Sequence, residues 1–191
     1  MSIRALSTNG IGGGSSIGGL LYVPDLNADD PESCYNKSEP YVPANATRRA
    51  DLPDTDYPLV ALAPWLSPAC TLAYLNAARR APTQAFIFFL PDDTTSEPPQ
   101  ANNVRWDLGD GGQWKSDNSY PVYVVPGSTG TDLVNASAQY SGDMASVPHG
   151  EELLQTFDAR DYVRLYLDVD TGESGASMYQ YLLPAFIGMG P

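Results

Sequence analysis

Apolar residues in this chain fall into short solid runs separated by long polar stretches rich in proline, asparagine and aspartate. Leu20-Leu21-Tyr22-Val23 is the first such run and ends at Pro24, as a strand does when the next residue cannot donate to the ladder. From Asp25 to Pro58 no apolar period is sustained, which predicts a long excursion over the surface. Leu59-Val60-Ala61-Leu62-Ala63 suits a strand buried on both faces. Ser67-Pro68 then offers an N-cap with proline at the first helical position. Leu72, Leu75 and Ala78 or Arg79 recur at helical spacing, Arg79 and Arg80 complement the carbonyl end of the helix dipole, and Pro82 stops the helix. Ala85-Phe86-Ile87-Phe88-Phe89-Leu90 is a second buried strand, so Leu59 to Leu90 has the order and length of one βαβ unit.

Beyond it, Pro91 to Asn103 reads as loop, and Trp106 to Trp114, with its turn-forming Gly109-Asp110-Gly111-Gly112, is expected at the surface. Tyr120 to Val125 predicts a third buried strand and Thr131 to Tyr140 a helix with Leu133, Val134 and Ala138 inward. Tyr162 to Val169 alternates, placing Val163, Leu165 and Leu167 on one side and Arg164, Tyr166 and Asp168 on a wet one. The sum is an α/β domain over 18–170 whose mixed sheet has a central βαβ unit and long surface loops. A flexible leader precedes it over 1–17. A tail follows over 171–191, where the apolar stretch Tyr179 to Met189 has the character of a docking segment or the start of a membrane anchor, though it is shorter than the ~20 residues that span a bilayer.

Charge narrows the partners. Ten Lys plus Arg stand against 23 Asp plus Glu, a net charge of -13 over 191 residues. That field repels phosphate backbones and anionic lipid, which argues against nucleic acid, and it favours solubility and cationic partners. Cys34 and Cys70 with His149 are too few for a structural zinc site, so the cysteines either pair or are buried thiols. Paired, they would close a loop of about 37 residues, worth roughly 4 kcal/mol by chain entropy. Three sequons, at Asn36, Asn45 and Asn135, are glycan acceptors in a secreted chain.

Catalytic signals are weak. The single histidine, His149, sits in the turn-like Val147-Pro148-His149-Gly150 and has no nucleophile elbow to serve. Gly10-Ile11-Gly12-Gly13-Gly14 has neither a buried strand before it nor a lysine after it, so it reads as flexible leader rather than phosphate loop. Asp25-Leu26-Asn27-Ala28-Asp29 and Asp168-Val169-Asp170-Thr171-Gly172 have partial calcium-loop spacing but lack the closing glutamate. No catalytic residue, metal or cofactor is assigned.

The run Gly19 to Leu26, the loop of Cys34, Leu59 to Ala63 leading to Cys70 and its helix, Ala85 to Phe88, and Trp106-Asp107-Leu108 through Gly112-Gln113-Trp114 before Pro121-Val122-Tyr123 together resemble a protease-associated (PA) domain. The likeness spans roughly 18–166 and is greatest to the luminal PA domain of fungal single-pass membrane RING-type ubiquitin ligases. It implies a swivelling β/β/α fold, a disulfide between Cys34 and Cys70, and no active site in the domain itself. It also implies a lumenal or cell-exterior location and a role in recruiting protein substrates or cargo, with the parent protein membrane-anchored on the C-terminal side. Sorting-receptor members bind peptide through the loop before the helix cysteine, often around an Arg-Gly pair. This chain has Pro64-Trp65-Leu66-Ser67 there, which makes Trp65, Leu66 and Ser67 the expected protein contacts. The alternative is a secreted hydrolase, or the accessory domain of a peptidase, with a carboxylate site among the acidic loops.

Overall fold

The solid apolar runs lie side by side as parallel strands, because only a strand covered on both faces can be apolar throughout. The computed structural model describes residues 3–9, 16–26, 30–53, 57–92, 97–143, 158–170 and 177–184. Seven strands form one mixed sheet: β1 (Arg4–Ser7), β2 (Ile17–Tyr22), β3 (Leu59–Pro64), β4 (Thr83–Leu90), β5 (Val122–Pro126), β6 (Val163–Asp170) and β7 (Ser177–Pro184), in the spatial order β1-β5-β4-β3-β2-β6-β7. The four strands β5-β4-β3-β2 are parallel, and β1, β6 and β7 close the two sides antiparallel. The fold is therefore mixed α/β, as the alternation of runs predicts.

Five α-helices complete the described residues: α1 (Glu32–Ser38), α2 (Pro68–Ala78), α3 (Trp114–Asp117), α4 (Gly127–Gln139) and α5 (Ala159–Tyr162). The predicted βαβ unit is β3-α2-β4, with Ser67 extended at the N-cap and Pro68 opening the helix. The second predicted helix, α4, starts earlier than expected, at Gly127 directly after β5, and buries Leu133 and Val134. Alternation along β4 divides the core. Phe86 and Phe88 face α2: Phe86 stacks near Tyr120, whose hydroxyl donates to the Leu75 carbonyl of α2 (3.0 Å). On the opposite face Phe89 meets α4 at Gly130, where an added Cβ would collide with the Phe89 ring. Helices thus cover both faces of the parallel block.

Five sequence expectations need correction. Arg4–Ser7, read as leader, pairs with β5, and Ser177–Pro184, read as tail, pairs along its whole length with β6. Among the described residues no helix is long and apolar enough to cross a membrane. The stretch 30–53 is no loose excursion: it forms α1 and a 3-10 turn (Arg49–Asp51) and buries Cys34, Val42, Ala46 and Leu52. Trp106, Leu108 and Trp114 are buried, while Asp107, Gln113 and the glycine turn between the two indoles reach solvent, with positive φ at Gly109, Gly111 and Gly112. Arg164, placed on the wet side of its strand, is fully buried. Its guanidinium donates to the carbonyls of Asp51 (2.8 Å), Gly142 (2.6 Å), Val163 (2.9 Å) and Arg160 (3.0 Å).

Candidate recognition cleft

Parallel strands open their binding crevices at their carboxyl ends, and here that end is roofed by the segment after β2. The chain leaves β2 through Val23, whose amide donates to Thr47 O (2.8 Å), and runs past Asp25 and Leu26 before α1. A disulfide between Cys34 and Cys70 fastens α1 to α2. Thr47 Oγ1 in turn donates to Ser137 O of α4 (2.9 Å), and Ser141 Oγ to Asn45 O (2.6 Å). A seven-residue helix with no side-chain cap of its own is thereby held in place by covalent and tertiary bonds rather than by propensity.

Between α1, α2 and the returning segment lies a cleft of about 390 Å³. Leu26, Val42 and Ala44 give it apolar walls; Asp25, Glu39 and Arg48 give it charge; Tyr35, Ser38 and Tyr74 complete it. Arg48 stands 3.7 Å from Asp25, and its Nη1 donates to Pro24 O (3.3 Å). Its backbone amide donates to Asp51 Oδ2 (2.7 Å), which fixes the turn that presents it. Burial pushes the Tyr74 phenol up, against a smaller downward pull from its hydrogen bond with Ser38. Tyr74 therefore acts as a neutral hydroxyl at the base, whereas Tyr35 is 61% exposed at the mouth. Apolar walls, a neutral hydroxyl and a charge pair at wide spacing suit reversible binding of a side chain that carries both apolar body and polar tip.

The predicted contacts Trp65, Leu66 and Ser67 also follow a strand end, that of β3, yet Trp65 does not protrude. It is buried at 7% exposure and forms edge contacts with Phe88 (5.1 Å between centroids) and Trp106 (5.0 Å), with Trp114 at 5.8 Å. Trp114 Nε1 donates to Trp106 O (2.9 Å) and Trp106 Nε1 to Gln100 O (2.8 Å), so all three indoles belong to the packing of the loop after β4. Leu66 and Ser67 are half-buried beside it. Trp65 is an aromatic anchor for the fold, because the 98–114 loop closes over it.

Asn36, Asn45 and Asn135 are all exposed, on α1, on the returning segment and on α4. Asn45 Nδ2 donates to Ala138 O (3.2 Å). His149, Gly10 to Gly14, Asn27 to Asp29 and Thr171-Gly172 lie outside the described residues. Among the described residues no three His, Cys, Asp or Glu side chains gather as a metal set. Sequence reasoning missed Tyr35 and Arg48; the adjacency of Tyr35 to Cys34 was the available signal, and Arg48 had none. No known family model matches the chain, and no curated protein or solved structure matches it either.

Proposed function

We propose that the chain is a non-catalytic, PA-like protein-recognition domain that works outside the cytoplasm and recruits protein substrates or cargo through the cleft beside the disulfide. The single observation that carries this reading is the stapled α1: a short helix tied to α2 through Cys34–Cys70 holds the exposed Tyr35 over a cleft containing Arg48 and Asp25. A tyrosine on a rigid support loses little entropy on binding, which is why such residues dominate recognition surfaces. A disulfide of this kind persists in oxidising compartments. The exposed sequons at Asn36, Asn45 and Asn135 add to the secretory reading. The parent protein on this reading is a membrane RING-type ubiquitin ligase, with this domain on the lumenal side; the sequence resemblance supports that assignment.

The test is selection of binders from a random peptide display library against the immobilised, oxidised chain. Selected peptides are expected to lose at least about tenfold in affinity for Tyr35→Ala combined with Arg48→Ala, the loss typical of central aromatic and arginine contacts. A library that yields no binder, or binders indifferent to both substitutions, removes the reading.

A further inference from the structure

The β6·β7 end of the sheet carries a second feature, independent of the cleft. In the antiparallel pair β6·β7, Tyr166 lies opposite Tyr181 and Asp168 opposite Tyr179. Directly opposed residues send their side chains to the same face. β2 extends both rows, with Leu20 opposite Tyr166 and Gly18 opposite Asp168. Tyr166 leans into the space that Gly18 leaves, for a Cβ there would collide with its ring and hydroxyl. One face thus gathers three phenol rings around the Asp168 carboxylate, with Asp170 next along the same row.

The exposure within this group is uneven. Tyr179 and Tyr181 are 51% and 50% exposed, on the strand that ends the described sheet. Oδ1 of Asp168 is shut off from solvent and has no hydrogen-bond partner among the described residues. A carboxylate oxygen in that position lacks the donor that normally offsets its desolvation. Burial first, and the Asp168 charge second, push the Tyr166 phenol up, so the charge is felt within the cluster. Phenol faces and a carboxylate attract the same thing, a cation. The net charge of -13 draws cations to the whole surface. A hard metal ion is a poor occupant, since calcium needs six to eight oxygen ligands and neutral phenols supply few.

We propose that Asp168, Tyr166, Tyr179 and Tyr181 form a docking site for lysine or arginine side chains on an extended, basic segment of a partner polypeptide. An extended segment alongside β7 repeats its side chains every two residues, about 6.6 Å, which is also the spacing of Tyr179 and Tyr181 along their strand. One basic side chain then reaches the Asp168 carboxylate between the rings, and the next lies over the Tyr181 ring.

The experiment titrates the full chain with a synthetic peptide of alternating lysine and threonine, and with a glutamate-threonine control, by calorimetry and NMR shift mapping. The lysine peptide is expected to bind and to perturb Tyr166, Asp168, Tyr179 and Tyr181, while the glutamate peptide does not bind. Asp168→Asn should weaken binding at least about tenfold, whereas Asp132→Asn, the same charge change at an exposed position of α4, should alter it by less than about twofold. Replacing both exposed tyrosines by Phe keeps binding and replacing both by Ala removes it, a contrast that a loss of hydroxyl hydrogen bonds would not give. Unfolding curves for each variant exclude misfolding as the cause; if Asp168→Asn fails to fold, the two tyrosine variants carry the test. Equal weakening by Asp132→Asn and Asp168→Asn, shifts confined to other surfaces, or no binding of the lysine peptide overturns the proposal. Arg48→Ala leaves this binding intact, so its failure and that of the cleft are distinguishable.

Discussion

Arg164 is the residue on which backbone from the 3-10 turn, the loop after α4 and α5 converges. Its charge is carried into the interior without a carboxylate at salt-bridge distance among the described residues, and backbone carbonyls from the 3-10 turn, the loop after α4 and α5 take its donors. Burial lowers its pKa, with Asp51 and Asp161 opposing, but a guanidinium has ample margin to stay charged. Arg164→Met keeps the aliphatic stem and strands the five carbonyls that the guanidinium holds, so urea unfolding should show a loss of about 3 kcal/mol. Gly130→Ala offers a second test with opposing terms. Alanine favours a helix by about 1 kcal/mol over glycine, but the new methyl runs into Phe89. Overpacking costs about 1–3 kcal/mol, so the net effect is expected to be destabilising. A stabilised variant would show that α4 can move off β4. Neither residue was legible beforehand: strand alternation correctly put Arg164 opposite Leu165, and it carries no information that a distant turn covers that face.

At the level of elements, legibility tracked periodicity. β3, α2, β4 and β5 announce themselves by solid apolar runs, a Ser-Pro start and a proline stop, since each is buried by its own neighbours in sequence and sheet. β1 and β7 were hidden because they are edge strands with one partner each and mixed burial, which dilutes the pattern. The 30–53 segment buries single residues, Val42, Ala46 and Leu52, at no regular interval, and the cleft draws its lining from that segment, the end of β2 and α2. No local pattern encodes such a convergence. The disulfide is what makes it durable: the bond spans 36 residues, so its loss should lower stability by roughly 4 kcal/mol on the chain-entropy model. Comparing urea midpoints for the oxidised chain and Cys34→Ala/Cys70→Ala measures this, and peptide binding at the cleft should fall with it.

The whole molecule has an alkaline limit written into its core. Burial raises the phenols of Tyr22, Tyr74 and Tyr120, and pushes Tyr123 up to about 12, where its hydroxyl has no hydrogen-bond partner among the described residues. A tyrosine in the unfolded chain ionises near pH 10. Between that value and the raised folded values the unfolded state sheds protons first, so the stability these groups contribute is complete below about pH 10 and drains away as pH rises. Urea unfolding at pH 9, 10 and 11 should show a steepening decline, with phenolate absorbance appearing together with loss of structure; unchanged stability at pH 11 would contradict it. The Cys34–Cys70 bond has one more consequence, mechanical rather than thermodynamic. Stretched from its two ends, the chain would pay out only part of its length, because the 36-residue span between the sulfurs stays locked at about 3.5 Å per residue. A single-molecule pull should therefore stop about 120 Å short until a reductant is added, whereupon the missing slack is released in one step.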